Sequence, residues 1–94
     1  MSLQEQLIWI KYASKLAMSH DKIYEIGNDE ETWPIRKAIW LTENALVTFY
    51  TYAVGKAALV EVRTDGVRKW LQTVADGVPS NNLLSLPPCR VRAA

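Results

Sequence analysis

Residues 56–89 read KAALVEVRTDGVRKWLQTVADGVPSNNLLSLPPC, and this stretch decides most of the predicted fold. Its first part alternates between two sets of side chains, the period-2 pattern of a strand with one buried side. Ala58, Val60, Val62 and Thr64 share one side and Leu59, Glu61 and Arg63 the other, and we expect one of the two sides to meet the core. The Asp65-Gly66 pair then predicts a tight turn, because Gly supplies positive φ without steric cost and Asp tolerates it. Residues 67–74 return to β character with no cleanly polar side, so we expect a hairpin whose second strand is partly covered on both faces.

The end of this stretch predicts a lid over the sheet. Leu83, Leu84 and Leu86 supply three apolar anchors, and Pro87-Pro88 prevents a helix from continuing. We therefore expect a single helical turn that packs back onto the sheet.

The residues before position 56 predict two more strands, a helix and a further strand. Residues 7–12 and 22–26 are rich in aromatic and β-branched residues, and we expect them to pair as a first hairpin. Thr32 is suited to cap a helix over residues 33–43, whose first turn accepts Pro34. Residues 46–54 are again β-rich. The predicted fold is α+β, an antiparallel sheet with one helix packed on one face, in the order ββαβββ with a short C-terminal lid.

The same stretch resembles a known family. It carries a turn glycine, a Lys-aromatic-Leu-x-Thr segment, an Asp-Gly pair and an Asn-Leu-Leu-x-Leu-Pro-x-Cys ending; in this chain these are Gly66, Lys69-Trp70-Leu71-Gln72-Thr73, Asp76-Gly77 and Asn82-Leu83-Leu84-Ser85-Leu86-Pro87-Pro88-Cys89. This order is similar to that of the bacterial and archaeal domain-of-unknown-function family three-eight-nine-two (DUF3892). Trp70 stands where the family usually has Tyr, and Pro88 where it often has Glu. The resemblance implies a relative in fold and carries no activity with it.

Length, charge and cysteine content set the broad class. Ninety-four residues predict a single domain spanning residues 1–94. Eleven basic and ten acidic side chains leave a net charge of +1, which gives no general attraction to nucleic acid or to an anionic membrane. The single Cys89 needs no disulfide partner, and the first twenty residues lack the apolar core of a signal peptide. We expect a cytoplasmic protein that does not enter membranes.

The sequence predicts no catalytic, metal or cofactor site. His20 beside Asp21 is compatible with acid/base chemistry, but no motif places a nucleophile near it. Cys89 precedes Arg90 and has a second arginine, Arg92, three positions away; the alternatives are a thiol of lowered pKa and a small packing residue, and we favour packing. One His and one Cys do not make a metal site, and neither phosphate-binding motif, GxxxxGKS/T or GxGxxG, is present.

The aromatic content favours an interaction module. The chain has eight Trp and Tyr residues, more than so small a core can bury, so we expect some at the surface as anchors for a protein partner or a second copy: Trp9, Trp33, Trp40, Trp70, Tyr12, Tyr24, Tyr50 and Tyr52. Trp9 and Trp70 are the predicted anchors. The alternative is RNA or single-stranded DNA binding through the last hairpin, where Trp70 would offer a stacking surface beside a group of basic residues: Arg63, Arg68, Lys69, Arg90 and Arg92. A small enzyme is the third hypothesis.

Overall fold

The computed structural model describes residues 6–53, 55–75, 78–80 and 82–89. The elements, in chain order, are β1 (Gln6–Trp9), β2 (Tyr12–Lys15), a 3-10 turn (His20–Lys22), β3 (Ile23–Gly27), β4 (Thr32–Pro34), α1 (Ile35–Glu43), β5 (Val47–Ala53), β6 (Lys56–Thr64), β7 (Lys69–Ala75), β8 (Val78–Ser80) and α2 (Asn82–Ser85). The α+β class, with one main helix and a short helical turn near the end, is confirmed. The order contains more strands than ββαβββ.

The strands form two sheets. Five strands assemble in the order β1-β5-β6-β7-β8, and three assemble in the order β2-β3-β4. Strand β1 runs parallel to β5, whereas the other pairs are antiparallel. The fold therefore departs from a single antiparallel sheet at its first strand.

The predicted first hairpin is right only from Tyr12 onward. Tyr12 pairs with Gly27 in the β2-β3 hairpin, but Leu7 pairs with Thr48 of β5. The change of partner falls between two neighbouring residues: the Ile10 N–H donates to the Tyr50 carbonyl at 2.8 Å, and the Lys11 N–H donates to the Gly27 carbonyl at 2.9 Å. The Ile10 side chain is completely buried. If residues 7–12 formed one strand, the whole segment would lie in a single sheet. Ile10 would then lose its buried position in the core.

The helix begins later than predicted. Residues 32–34 form β4, in which Trp33 pairs with Ile26, and α1 follows from Ile35. Thr32 is therefore not the helix cap, and the residue at the cap position is Pro34, which makes no side-chain capping bond. Trp33 is 95 % buried and meets the Phe49 ring edge-on, with centroids 5.2 Å apart. Because a residue before proline prefers extended backbone, this core contact and the local preference agree on a strand.

The core lies between the two sheets, α1 and α2. Helix α1 packs against strands of both sheets, with Ala38 fully buried. The five-stranded sheet contributes its inner side chains to the same cluster; the buried members overall are Ile10, Ala13, Ile23, Ile26, Trp33, Ala38, Val47, Phe49, Val60, Leu71 and Leu83. As predicted, one side of β6 meets the core, and it is the side that carries Ala58 and Val60.

The β6-β7 hairpin is confirmed, with its tip at Asp65 and Gly66. Gly66 has the positive φ, +94°, that the turn was predicted to need. Asp65, which was predicted to share this conformation, does not: among the described residues other than glycine, positive φ is found at Ala45. Its carboxylate instead accepts the N–H groups of Val67, at 2.9 Å, and Arg68, at 2.7 Å. Asp65 thus stabilises the turn through its side chain.

The C-terminal lid is also confirmed. Leu83 in α2 is fully buried, and Leu84 and Leu86 pack against the core. The lid is tied to β2, because the Ala13 N–H donates to the Pro87 carbonyl at 2.9 Å and the Lys15 ammonium donates to the Leu86 carbonyl at 2.8 Å. The predicted Asp76-Gly77 turn lies outside the described residues.

Truncating Leu83 tests the lid. Leu83→Ala should lower the free energy of unfolding by about 2 to 5 kcal/mol, because a fully buried leucine loses its transfer energy and leaves a cavity. Leu84→Ala should cost less, since that side chain is only half-buried. Urea unfolding measures both, with Leu16→Ala at a 79 % exposed site as the control. A loss at Leu83 of less than about 0.5 kcal/mol, the range of surface changes, would contradict a packed lid.

Candidate functional site

The five-stranded sheet has an outer face, defined by the side chains that point away from the core. The pairing register aligns one row of them across four neighbouring strands: Trp9 lies beside Tyr50, Tyr50 beside Leu59, and Leu59 beside Val74. Trp9 is 41 % exposed and Leu59 is 52 % exposed. Leu7 and Tyr52 extend the outer face on either side of the row, and both are exposed. The outer face is therefore a continuous apolar and aromatic surface.

Trp9 is held in a fixed position on this face. Its ring lies nearly parallel to that of Tyr50, with centroids 6.5 Å apart, and meets the Tyr52 ring edge-on at 6.0 Å. The Lys11 ammonium lies 4.8 Å from the centre of the Trp9 ring and 2.7 Å from an Asp29 carboxylate oxygen. The hydrogen bond to Asp29 raises the pKa of Lys11 above its ordinary value, so the ammonium stays charged at neutral pH. A ring fixed by two aromatic neighbours and a cation loses little entropy on binding.

Charge on the outer face is sparse and balanced. At the outward positions of the described strands, the charged side chains are Glu61 and Arg63, which are consecutive on β6. The Lys11 ammonium over the Trp9 ring adds a positive charge at one end of the face, where it is paired with Asp29. Glu61 lies beside Gln72, and Arg63 lies beside Trp70. The described strand positions of the face thus carry one negative and one positive charge.

Trp9 and Trp70, the two predicted partner anchors, both lie at outward positions of the five-stranded sheet. Trp70 lies on β7, is only half-buried, and donates its indole N–H to the Gln72 side-chain oxygen at 3.3 Å. Other aromatic residues are exposed elsewhere, with Tyr24 on β3 and Trp40 on α1. The expectation that some aromatic side chains reach the surface is confirmed.

The other two predicted contact residues, Arg68 and Lys69, are directed to different elements. The Arg68 guanidinium donates to Asp21 in the 3-10 turn at 2.9 Å, while the Lys69 ammonium lies 2.6 Å from Glu43 at the end of α1. Adjacent residues of a strand point to opposite faces, so the two cations do not form one patch. Each already has an acidic partner inside the chain.

A pocket of about 420 Å³ lies beside the hairpin tip. It is lined by Ser19, His20, Asp21, Asp65, Arg68, Trp70 and Gln72. A hydrogen bond from the Ser19 hydroxyl lowers the pKa of Asp21, and nearby Arg68 lowers it further. The backbone N–H groups of Arg68 and Val67 lower the pKa of Asp65 in the same way. Asp21, Asp65 and Arg68 all have partners within the chain. The pair of Arg68 with Asp21 connects the 3-10 turn to the β6-β7 hairpin.

Two other sequence predictions concern reactive groups. Burial raises the pKa of the Cys89 thiol, and the Cys89 N–H donates to the Ser14 hydroxyl at 2.9 Å, so the described contacts fit the packing interpretation. Arg90 and Arg92 lie outside the described residues.

In the part of the chain that the structure describes, no group of three or more His, Cys, Asp or Glu side chains is arranged to hold a metal ion. Nor does any described helix have the length and apolar character needed to cross a membrane.

Sequence reasoning identified Trp9 but not its neighbours on the outer face. Tyr50, Tyr52 and Leu59 appear there because β5 and β6 each alternate between core and outer positions. The alternation of Val47, Phe49 and Thr51 with Thr48, Tyr50 and Tyr52 was the available signal. The parallel pairing of β1 with β5, which brings Trp9 beside Tyr50, has no such local signal.

The fold and this face define a small α+β protein with an open, aromatic sheet surface. The chain belongs to the family described as "Protein of unknown function (DUF3892)", whose model matches residues 8–87. The resemblance seen in the C-terminal motif is therefore confirmed over most of the chain. No curated protein and no solved structure matches it.

The contacts of Asp21 predict an order of effects on its pKa. Ser19→Ala should raise the Asp21 pKa towards the ordinary aspartate value by more than Arg68→Ala does, because the Ser19 hydrogen bond is the larger cause of the lowering. Since the folded pKa lies below the unfolded one, the stabilisation from ionised Asp21 is complete above the unfolded pKa and is lost as pH falls through the folded pKa.

A carboxyl NMR titration of Asp21 measures these shifts. Lys56→Ala, at the opposite end of β6 from the hairpin tip, is the control and should leave the Asp21 pKa unchanged. A larger rise in Arg68→Ala than in Ser19→Ala would show that the ion pair, rather than the hydroxyl, dominates this cluster.

Proposed function

We propose that this protein is a non-enzymatic interaction module, and that its outer face binds a second copy of the chain. The observation that carries the proposal is the row of Trp9, Tyr50, Leu59 and Val74 across four strands, on a sheet whose other side is already packed. Large apolar surfaces of this kind on a rigid sheet mark interaction sites.

The composition of the face explains why another protein suits it. Burying apolar surface yields about 25 cal/mol per Å², and aromatic rings contribute much area for few rotatable bonds. Trp9, Tyr52 and Leu59 are each between 41 % and 53 % exposed, so they have area left to bury. These three side chains are the proposed energetic centre of the interface.

The charges of the face favour a second copy as the partner. In a symmetric dimer the same patch meets itself across a two-fold axis. With Glu61 and Arg63 at consecutive outward positions of one strand, such an axis can bring Glu61 of one copy opposite Arg63 of its partner. The face is then complementary to itself in both charge and apolar character.

The size of the face predicts a weak dimer. Four strand spacings and a strand of seven residues give a flat area of roughly 450 Å². The accessible surface is larger than this projection, but a standard interface buries about 800 Å² per partner. We therefore expect dissociation in the micromolar range, on the order of −8 kcal/mol.

Binding of RNA or single-stranded DNA, the alternative from the sequence, has less support. Aromatic rings on a sheet do suit base stacking. However, Glu61 offsets Arg63 on the described part of the face, and Arg68 and Lys69 have acidic partners elsewhere. A protein that binds single-stranded nucleic acid needs surplus positive charge along the path of the phosphate backbone.

We also place the module in the cytoplasm, because its single cysteine needs no disulfide.

Placing a charge at the centre of the outer face tests the proposal. Leu59→Arg should weaken dimerisation by at least tenfold, equivalent to about 1.4 kcal/mol, because a guanidinium would be buried between two apolar surfaces. Val67→Arg is the matched control, since Val67 is 90 % exposed in the turn and lies off the face. Sedimentation equilibrium measures both. Equal effects of the two variants, or a wild-type chain that stays monomeric at millimolar concentration, would contradict the proposal.

A charge exchange tests the symmetry of the interface. Glu61→Arg and Arg63→Glu should each weaken the dimer, because like charges then face each other, and the double variant should restore it. If the double variant dimerises as weakly as the single variants, the two residues do not meet across the axis.

A further assay with a random single-stranded oligonucleotide should show no binding at physiological salt; micromolar binding that is lost in high salt would favour the nucleic-acid alternative.

A further inference from the structure

The pocket beside the hairpin tip is built on alternate residues at the start of β7. Leu71 and Thr73 point into the core and are completely buried. Because side chains alternate along a strand, Arg68, Trp70 and Gln72 share the opposite, outward side. The 3-10 turn lies beside them, and the pocket of about 420 Å³ is enclosed by both. This volume falls in the range of small-ligand pockets, about 300 to 1,000 Å³.

The side chains around the pocket are held in place by contacts within the chain. Arg68 is paired with Asp21 at 2.9 Å, and the Asp65 carboxylate is bonded to the backbone of its own turn. The Trp70 indole N–H is bonded to the Gln72 side-chain oxygen. A ligand therefore meets groups that are already ordered, which lowers the entropic cost of binding.

These contacts leave hydrogen-bonding capacity at specific atoms. Both turn N–H groups bond to Oδ1 of Asp65, whereas Oδ2 lies 4.0 Å from Arg68 Nε, beyond hydrogen-bond distance. Gln72 uses its side-chain oxygen, so within the described part of the chain its NH2 group keeps two donors. Arg68 bonds to Asp21 through Nη1, and its Nη2 group keeps its donors. The pocket thus offers one carboxylate acceptor and several donors.

The ring of Trp70 is accessible, unlike that of Trp9. Trp9 has two aromatic neighbours and the Lys11 ammonium over its ring. Among the described residues, no second ring and no cation stacks on Trp70, which is only half-buried. The face of an aromatic ring is apolar and slightly negative, so it attracts C–H groups.

The charges around the pocket favour an uncharged ligand. Arg68 lies 2.9 Å from Asp21 and 4.0 Å from Asp65, so one guanidinium faces two carboxylates. The surplus negative charge opposes a phosphate or a carboxylate, and the guanidinium between the two aspartates opposes a cation. A neutral molecule with many hydrogen-bonding groups meets neither repulsion.

We infer that this pocket binds a neutral sugar, with the C–H face of a pyranose ring on Trp70 and neighbouring hydroxyls at Asp65 and Gln72. Each hydroxyl both donates and accepts. One hydroxyl donates to Asp65 Oδ2, and the hydroxyls also accept from the Gln72 amide and Arg68 Nη2. The pocket lies apart from the proposed dimer surface, because Trp70 is four residues from Val74, about 13 Å along β7. The inference therefore does not depend on self-association.

NMR with methyl glycosides tests the inference on the wild-type chain. The probes are the methyl pyranosides of glucose, galactose, mannose and N-acetylglucosamine. Saturation transfer from the protein to the sugar C–H protons measures binding, and we expect at least one probe to bind with millimolar affinity and to shift the Trp70 indole N–H signal. Tetrahydropyran-2-methanol, which has the ring without the neighbouring hydroxyls, should bind much more weakly. Sedimentation of the same samples reports dimerisation separately, so failure of one proposal is distinguishable from failure of the other.

Asp65→Asn tests the hydrogen bond to the sugar. Asparagine keeps the oxygen that caps the turn but replaces the Oδ2 acceptor by a donor, so affinity should fall about tenfold, as expected for loss of one hydrogen bond to a charged group. Asp29→Asn, the same change outside the pocket, should leave affinity unchanged. Amide spectra check that both variants are folded.

Trp70→Leu tests the stacking surface. It should remove detectable binding, whereas Trp40→Leu, at a tryptophan that is 55 % exposed on α1, should not. Three results would each overturn the inference: no binding of any probe at its highest soluble concentration, equal effects of a pocket variant and its matched control, or acetate or ethylammonium shifting the Trp70 signal at lower concentration than the sugars do.

Discussion

The structure depends on a change of sheet between two consecutive residues. The Ile10 N–H bonds to the five-stranded sheet and the Lys11 N–H bonds to the three-stranded one, while the Ile10 side chain is completely buried. The chain therefore passes from one sheet to the other at Ile10, whose side chain lies in the core that both sheets share. It also sets the parallel pairing of β1 with β5, and that pairing puts Trp9 beside Tyr50 on the outer face.

Strand β1 presents side chains and backbone groups in different directions. Its side chains at Leu7 and Trp9 belong to the outer face, and the backbone groups of the same residues point to the open edge. A sheet offers these two directions independently, since side chains stand perpendicular to it and hydrogen bonds lie within it.

Three of the described basic side chains form ion pairs with acidic residues far away in the sequence. Lys11 lies against Asp29, Arg68 against Asp21, and Lys69 against Glu43, at 2.7, 2.9 and 2.6 Å. Exposed pairs of this kind add little stability individually. Their effect here is to offset three positive charges of a chain whose net charge is only +1.

The sequence by itself determined the elements whose causes are local. The β6-β7 hairpin follows from alternation and Gly66, and the lid follows from its leucines and the Pro87-Pro88 stop. The class, the main helix and the family resemblance were likewise readable from residues alone. Only the tertiary structure decided the pairing partner of residues 7–9, the strand at Trp33 and the aromatic neighbours of Trp9. The physical reason is that a β-rich segment specifies which side chains share a face but not which distant strand it pairs with; burial of Ile10 and Trp33 in the shared core makes that choice.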